Sequence, residues 1–387
     1  MQKRLSFPML VSICVGSVLI ALAVGLWPMD FRSGNRVQWV KGARGLEFEG
    51  RRERRDCRGG GVIRSGGPLI REPKADLRGA AVTIELWIRA AAEPRGCRSR
   101  ILSFYDASGK ERFFIGQWRS HLLVRGRMRR NTGEVVFREI GVDDALRSDV
   151  TRFITICSGR QGVTFYLDGK SVKGFPGVRL FNSIGALSSL CASMGNNLAA
   201  TGAWSGRVFG LAFYGSVFSP RQVRESFRRW SEGSGGERQG LPESTLALYR
   251  FDEGRGGLCK SAVAGGASFS IDEKLPFTKK LLKVSNPFHH PVKDLLVNFL
   301  GFVPIGLSFS LLLASWQGEA VSVKAVIALS VACGALLSFC IEWAQVYLPT
   351  RDSSLTDLLV NTLGATAGTV LWAWRHNRRP FSWMHRC

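Results

Sequence analysis

The chain has 387 residues, 45% of them hydrophobic, and Lys plus Arg outnumber Asp plus Glu by 53 to 30, a formal net charge of +23. A chain of that length is expected to form more than one domain. Its apolar residues are gathered into four runs rather than spread evenly, which argues against a single soluble globule.

Residues 1–27 open with Lys3 and Arg4 and continue as an apolar run from Leu5 to Trp27 that no charge interrupts. A bilayer crossing needs ~20 such residues. The run also contains Ala21-Leu22-Ala23, the small-x-small form a signal peptidase accepts. It therefore reads either as a retained anchor or as a cleaved leader, and its continuation to Trp27 favours the anchor. With Lys3 and Arg4 kept inside, the chain beyond Trp27 is exported.

The stretch 28–290 holds 44 basic and 25 acidic residues, a net charge of +19. Such a surface favours anionic neighbours: lipid headgroups, acidic wall polymers or acidic polysaccharide. The expected location argues against nucleic acid as the partner. Of the nine cysteines, Cys57, Cys97, Cys157, Cys191 and Cys259 fall in this stretch, where disulfides persist. Five is odd, so one or two bridges with a leftover thiol are expected, in no assigned pairing. No Cys-x-x-Cys or His-rich spacing calls for a metal, and no cofactor is expected. Cys14, Cys333 and Cys340 sit within the apolar runs as small apolar residues.

Between 36 and 255 the pattern is of short β-type runs separated by Gly-rich turns: Val82–Ile88, Arg100–Tyr105, Arg112–Ile115, His121–Val124, Phe153–Cys157, Val163–Leu167 and Val208–Tyr214. Several alternate apolar with polar residues, as strands covering a core on one face do, so an all-β sandwich is expected. Ser219-Pro220-Arg221-Gln222 announces one short helix, to about Trp230, with an N-cap serine, proline at the first helical position and glutamine three residues after the cap. Asp168-Gly169 reads as a tight turn between two strands.

This stretch resembles the laminin G-like, concanavalin A-like jelly rolls. The likeness is carried by Thr83–Ile88, Tyr166–Lys170, Gly206–Tyr214 followed by Phe218–Val223, and Leu248–Gly254. That family includes binding modules and glucanases. Its glucanases place their carboxylates on one strand as Glu-x-Asp-x-x-Glu, and no Glu-x-Asp occurs in this chain, so hydrolysis by that route is not expected and no catalytic residue is assigned. A binding or spacing role remains, in which Trp118 or Trp204 stacks on a sugar if exposed, although the pattern favours a buried core tryptophan for either. Ser231–Glu237 reads as a flexible loop, and 256–291 as a connector to the membrane.

Three further apolar runs, Asp294–Trp316, Val321–Leu348 and Leu355–Trp374, are each long enough to span. They define a membrane unit at 292–376, followed by a basic cytoplasmic tail at 377–387. Asp294–Gly301 recurs as Asp357–Gly364, identical at seven of eight positions and 63 residues apart, a parallel repeat. Asp and Asn at i, i+4 share a helix face. Between the copies Glu342 and Gln345 lie at i, i+3, and Arg351 comes six residues later. Asp294, Asn298, Glu342, Gln345, Arg351, Asp357 and Asn361 are thus expected at one membrane boundary, where ionisable groups are costly unless paired, buried or functional. A structural reading stands beside the functional one. Ser354-Leu355-Thr356-Asp357 has the form of a capping box, and Asn298 and Asn361 suit interhelical hydrogen bonds, with Gly301 and Gly364 allowing close approach.

This arrangement resembles the VanZ-like family, on Asp294, Asn298, Gly301, Phe302, Pro304 and Gly306; on Glu342, Gln345, Pro349 and Arg351; and on Asp357, Asn361 and Gly364. The resemblance implies four spans, the N-terminal anchor supplying the first and the jelly roll inserted after it. It also implies an association with low-level, teicoplanin-type glycopeptide resistance and with envelope glycans. The expected whole is a multi-pass protein of a bacterial cytoplasmic membrane. Its jelly roll faces outward onto a carbohydrate or anionic envelope polymer, and its polar membrane cluster engages a lipid or lipid-linked glycan. The alternative is an intramembrane enzyme or transporter acting on a lipid-linked precursor.

Overall fold

The computed structural model describes residues 6–31, 33–50, 57–70, 81–91, 93, 96–181, 184–232, 241–277, 279–284, 292–317 and 322–377. Lys3, Arg4, the loop from Gly233 to Glu237, Pro291, Arg378 and Arg379 lie outside them. The chain divides into two compact units, Arg32–Thr278 and a second made of Met1–Phe31 with Lys279–Cys387.

In chain order the elements are α1 (Phe7–Leu26), β1 (Val37–Trp39), β2 (Leu46–Phe48), β3 (Ile63–Ser65), β4 (Val82–Ala90), β5 (Ser99–Tyr105), β6 (Glu111–Trp118), β7 (His121–Arg130), β8 (Val135–Val142), β9 (Thr151–Gly159), β10 (Gly162–Leu167), β11 (Lys170–Pro176), β12 (Val178–Arg179), β13 (Cys191–Met194), β14 (Gly206–Tyr214), α2 (Pro220–Ser231), β15 (Thr245–Tyr249), β16 (Leu258–Cys259), β17 (Phe269–Ser270), α3 (Val292–Gln317), α4 (Val323–Gln345) and α5 (Leu355–Asn377).

The first unit is a sandwich of two antiparallel sheets. One runs β1-β2-β14-β4-β9-β10-β11 with β15 beside β14; the other runs β12-β7-β6-β5-β13-β3-β17-β16 with β8 beside β7. Alternate side chains point between the sheets, and an aromatic core fills the gap. Phe104 stacks on Phe113 at 4.4 Å and meets Phe213 edge-on at 6.2 Å. The Asp168-Gly169 turn has both residues at positive φ, 49° and 80°, as a two-residue hairpin of this hand requires.

The strands β16 and β17 fall inside 256–278, a stretch the sequence reads as connector. β17 pairs with β3 and β16 with β17, so these residues complete the second sheet. Cys57 and Cys97 form a disulfide, while Cys157, Cys191 and Cys259 are free thiols.

Helix α2 covers the outer face of the first sheet, with Ser219 and Gln222 forming the reciprocal cap that their spacing announces. Its Trp230 ring lies over Gly210, where a Cβ would stand 2.3 Å from the indole. Beneath it the Glu85 carboxylate accepts hydrogen bonds from Tyr214 Oη at 2.9 Å and Trp230 Nε1 at 3.1 Å. Burial raises the Glu85 pKa above the ordinary carboxylate value because the charged form loses its water.

In the second unit α1, α3, α4 and α5 pack together. α1, α3 and α4 are long and apolar enough to cross a membrane. Helix α5, expected as a span from its length, is not among these. The reason lies in its packing: it spends Asn361, Gly364, Ala365, Gly368 and Thr369 on buried contacts with its neighbours, and small or polar residues there lower its mean hydropathy.

Candidate functional site

Close backbone approach fixes how the helices lie. A Cβ on Gly364 would stand 2.2 Å from the Phe299 carbonyl oxygen, and one on Gly368 2.0 Å from that of Val303. Helices α3 and α5 therefore run parallel, in contact through small residues. Helix α4 runs antiparallel to α5: Asn361 Nδ2 donates to Ser338 Oγ at 3.0 Å, and Gly334 faces Ala365. Gly25, near the end of α1, abuts Ile341 of α4. One end of the unit thus collects the C-termini of α1 and α4 and the N-termini of α3 and α5.

Most of the polar residues expected at a single boundary meet at this end through definite partners. Glu342, 1% exposed, accepts from the Ser354 amide at 2.6 Å. Ser354 is the residue before α5, so a carboxylate stands at the positive end of that helix dipole. Asp357, in the first turn of α5, is close enough to Glu342 to interact with it electrostatically, and its amide is capped by Ser354 Oγ at 3.3 Å.

Gln345 and Arg351 serve α1. A helix end leaves its last carbonyls unpaired. Gln345 Nε2 donates to Gly25 O at 2.8 Å, Arg351 Nε to Trp27 O at 2.9 Å and Arg351 Nη2 to Val24 O at 3.1 Å. A guanidinium is suited to this because its donors are spread over a rigid fork.

Lys279 is a member of this cluster that sequence reasoning misses. Its side chain is 4% exposed and 3.5 Å from Asp352 Oδ1. Its ammonium donates to Leu348 O at 2.8 Å, Pro349 O at 2.9 Å and to Arg351 O. The backbone then continues the attachment: Leu282 N donates to Ser353 Oγ and Lys283 N to Ser353 O, both at 3.0 Å. Nothing distinguishes Lys279 in sequence from its neighbours Lys280 and Lys283. For Gly368, by contrast, a signal exists in its Gly-x-x-x-Gly spacing with Gly364.

The two copies of the repeat are not equivalent. Asn361 and Gly364 are buried, whereas Asp294 and Gly301 are exposed and Asn298 is half-buried. Nothing lies within 4 Å of the position a Gly301 Cβ would take. Pro304 is exposed inside α3, Gly306 packs against the Ala365 backbone, and Pro349 is buried.

In the sandwich the two candidate tryptophans separate. Trp204 is 1% exposed and its indole N–H donates to Gln117 Oε1 at 2.7 Å. It is a core residue and offers no stacking face, a correction to its reading as an exposed platform. Trp118, at the end of β6, is half-buried. It stacks on His121 at 5.5 Å, with the Arg98 and Arg119 guanidiniums 5.9 and 5.0 Å from the ring centroid.

Residues 65–224 match the family model of the concanavalin A-like lectin/glucanases superfamily, and residues 262–376 match that of VanZ/LLP1. No curated protein matches the chain. Among solved structures, a Bacteroides ovatus protein named as a candidate carbohydrate binder shares 11% identity with a TM-score of 0.39, over 61% of this chain and 59% of its own. The chain thus spans less than two thirds of that protein. A pentraxin from Limulus polyphemus shares 9% identity over 62% of this chain and 96% of its own, TM-score 0.34. A Ruminococcus gnavus sialidase module bound to sialyllactose shares 15% over 42% and 92%, TM-score 0.32. These are distant likenesses of shape and carry no functional weight. The VanZ/LLP1 match and the three apolar helices mark a membrane protein.

Proposed function

We propose that this chain is an envelope membrane protein of the bacterial cytoplasmic membrane that holds a carbohydrate-binding sandwich on the extracytoplasmic side. The observation that carries this reading is the joining, in one chain, of a segment matching the lectin-type superfamily and a segment matching VanZ/LLP1. The net charge of +23 adds a preference for anionic envelope material. Teicoplanin-type glycopeptide resistance is the phenotype this reading favours.

The membrane cluster acts in this proposal chiefly as a lock. Glu342, Gln345, Arg351 and Lys279 spend their hydrogen bonds on helix ends and on the loop that joins them. Two buried acceptors, Gln345 Oε1 and Asn361 Oδ1, have no donor among the described residues; they are the groups left for a headgroup or lipid-linked ligand bearing N–H or O–H.

The test is binding of the full chain, in nanodiscs of zwitterionic lipid, to an array of neutral and acidic glycans, alongside teicoplanin susceptibility of cells with and without the gene. Saturable binding to a glycan class supports the reading. Absence of binding to every glycan overturns it.

A further inference from the structure

Resting on that reading, we infer that the face of β7 and β8 turned away from the core is the glycan site, and that its ligand is an acidic polysaccharide bearing carboxylates along its length. The β7–β8 register places Arg125 opposite Glu139 and Arg127 opposite Phe137. The neighbouring pairs, Val124 with Ile140 and Leu122 with Val142, are buried in the core. Side chains alternate across a strand, so Arg125, Arg127, Phe137 and Glu139 share the outward face.

On that face the side chains form a ladder. Arg98 Nε and Arg125 Nη1 both reach Glu139 Oε2, each at 2.7 Å. At one end Arg98 approaches the Trp118 ring; at the other the Arg125 guanidinium lies 5.0 Å from the centroid of Phe137. One carboxylate thus serves two guanidiniums, and the set keeps a positive excess that grows with Arg127. Arginine presents paired donors that match a carboxylate, and a ligand carboxylate can take the place Glu139 holds on either one.

Phe137 supplies the apolar element. It is 65% exposed, which is unusual for so large a ring, and the guanidinium beside it holds its orientation. Trp118 has its ring engaged by His121 and two arginines, so Phe137 is the open platform for the C–H face of a sugar. Charges and a ring set side by side along a strand suit a stiff chain carrying regularly spaced carboxylates.

The probes are polygalacturonate, its fully methyl-esterified and uncharged form, phosphatidylglycerol vesicles and single-stranded DNA, each offered to the full chain in zwitterionic nanodiscs at two salt concentrations. The expected result is binding of polygalacturonate that weakens with salt, at least tenfold weaker binding of the ester, and a tenfold or greater loss in both Arg125→Gln and Phe137→Ala. Glu139→Gln, which removes the resident competitor, should bind several-fold more tightly. Phe137 is exposed, so its variant should melt as the parent does, separating lost binding from lost folding.

Unchanged affinity in Arg125→Gln and Phe137→Ala overturns the inference, as does equal binding of vesicles or DNA, which would show attraction by charge alone. Binding of neutral glycans without acidic ones sinks the inference and leaves the proposed function standing. Failure of every glycan sinks both.

Discussion

Glu342 Oε2 accepts a 2.6 Å hydrogen bond from the amide of Ser354, so the last turn of α4 is tied to the first turn of α5 through a single carboxylate. Glu342→Ala would leave that buried donor unpaired, at about 1–3 kcal/mol. Glu342→Gln keeps an acceptor in place and should lose less. Thermal melts of the detergent-solubilised chain give the order; a Gln variant as weak as the Ala variant would show that charge rather than hydrogen bonding matters.

Arg351→Met should release the end of α1, because the Val24 and Trp27 carbonyls lose their donors. Hydrogen bonds from a charged group contribute roughly 1.5–3 kcal/mol. Hydrogen exchange over residues 22–28 should quicken in this variant, with the sandwich strands unaffected.

The repeat allows a matched comparison. Gly364→Ala pushes a methyl group into the Phe299 backbone and should destabilise by about 1–3 kcal/mol. Gly301→Ala, at the same place in the other copy, meets open space and should be neutral or stabilising by up to ~1 kcal/mol. Equal effects from the two changes would refute the parallel packing of α3 and α5.

For Glu85 the sign of the pH dependence is set by its raised pKa. Above the unfolded-state value of about 4.3 the unfolded chain releases this proton while the folded chain still holds it. Stability of the sandwich should therefore fall as pH rises from that value through the folded pKa, and be greatest below it. Glu85→Gln, which keeps an acceptor for Tyr214 and Trp230, should remove this part of the slope. Melts of both forms across that range provide the check.

The Cys57–Cys97 bridge spans a sequence separation of 40. Closing a loop of that size contributes roughly 2–4 kcal/mol, so Cys57→Ser should lower the melting temperature of the sandwich. A reductant should do the same to the parent and nothing further to the variant.

Signals that depend on neighbours in sequence are legible without coordinates. Period-two runs and the Ser219-Pro220 cap are of this kind, and the strands and α2 appear where those signals fall. The repeated octad is legible as a motif, but its asymmetry is not: Asn361 is buried against Ser338 of α4 while Asn298 is only half-buried. Identical letters cannot say which copy is surrounded. Lys279 and Phe137 escape a reading of the sequence for a related reason. Each gains its role from partners distant in sequence or across a hairpin, Leu348–Asp352 for the lysine and Arg125 for the ring. Trp204 is ambiguous in sequence because an indole serves core and surface alike until its N–H partner, here Gln117, is known.

The hold of Gln345 and Arg351 on the final turn of α1 bears on biogenesis. A peptidase cutting after Ala23 would sever the helix from the three carbonyls that these side chains grip. It would also remove Ala21 and Leu22, which pack beside Phe302 and Ile341. Maturation by leader removal would then dismantle a quarter of the helical assembly, whereas an uncleaved start keeps it whole; the mass of the N-terminal peptide from purified protein distinguishes the two fates.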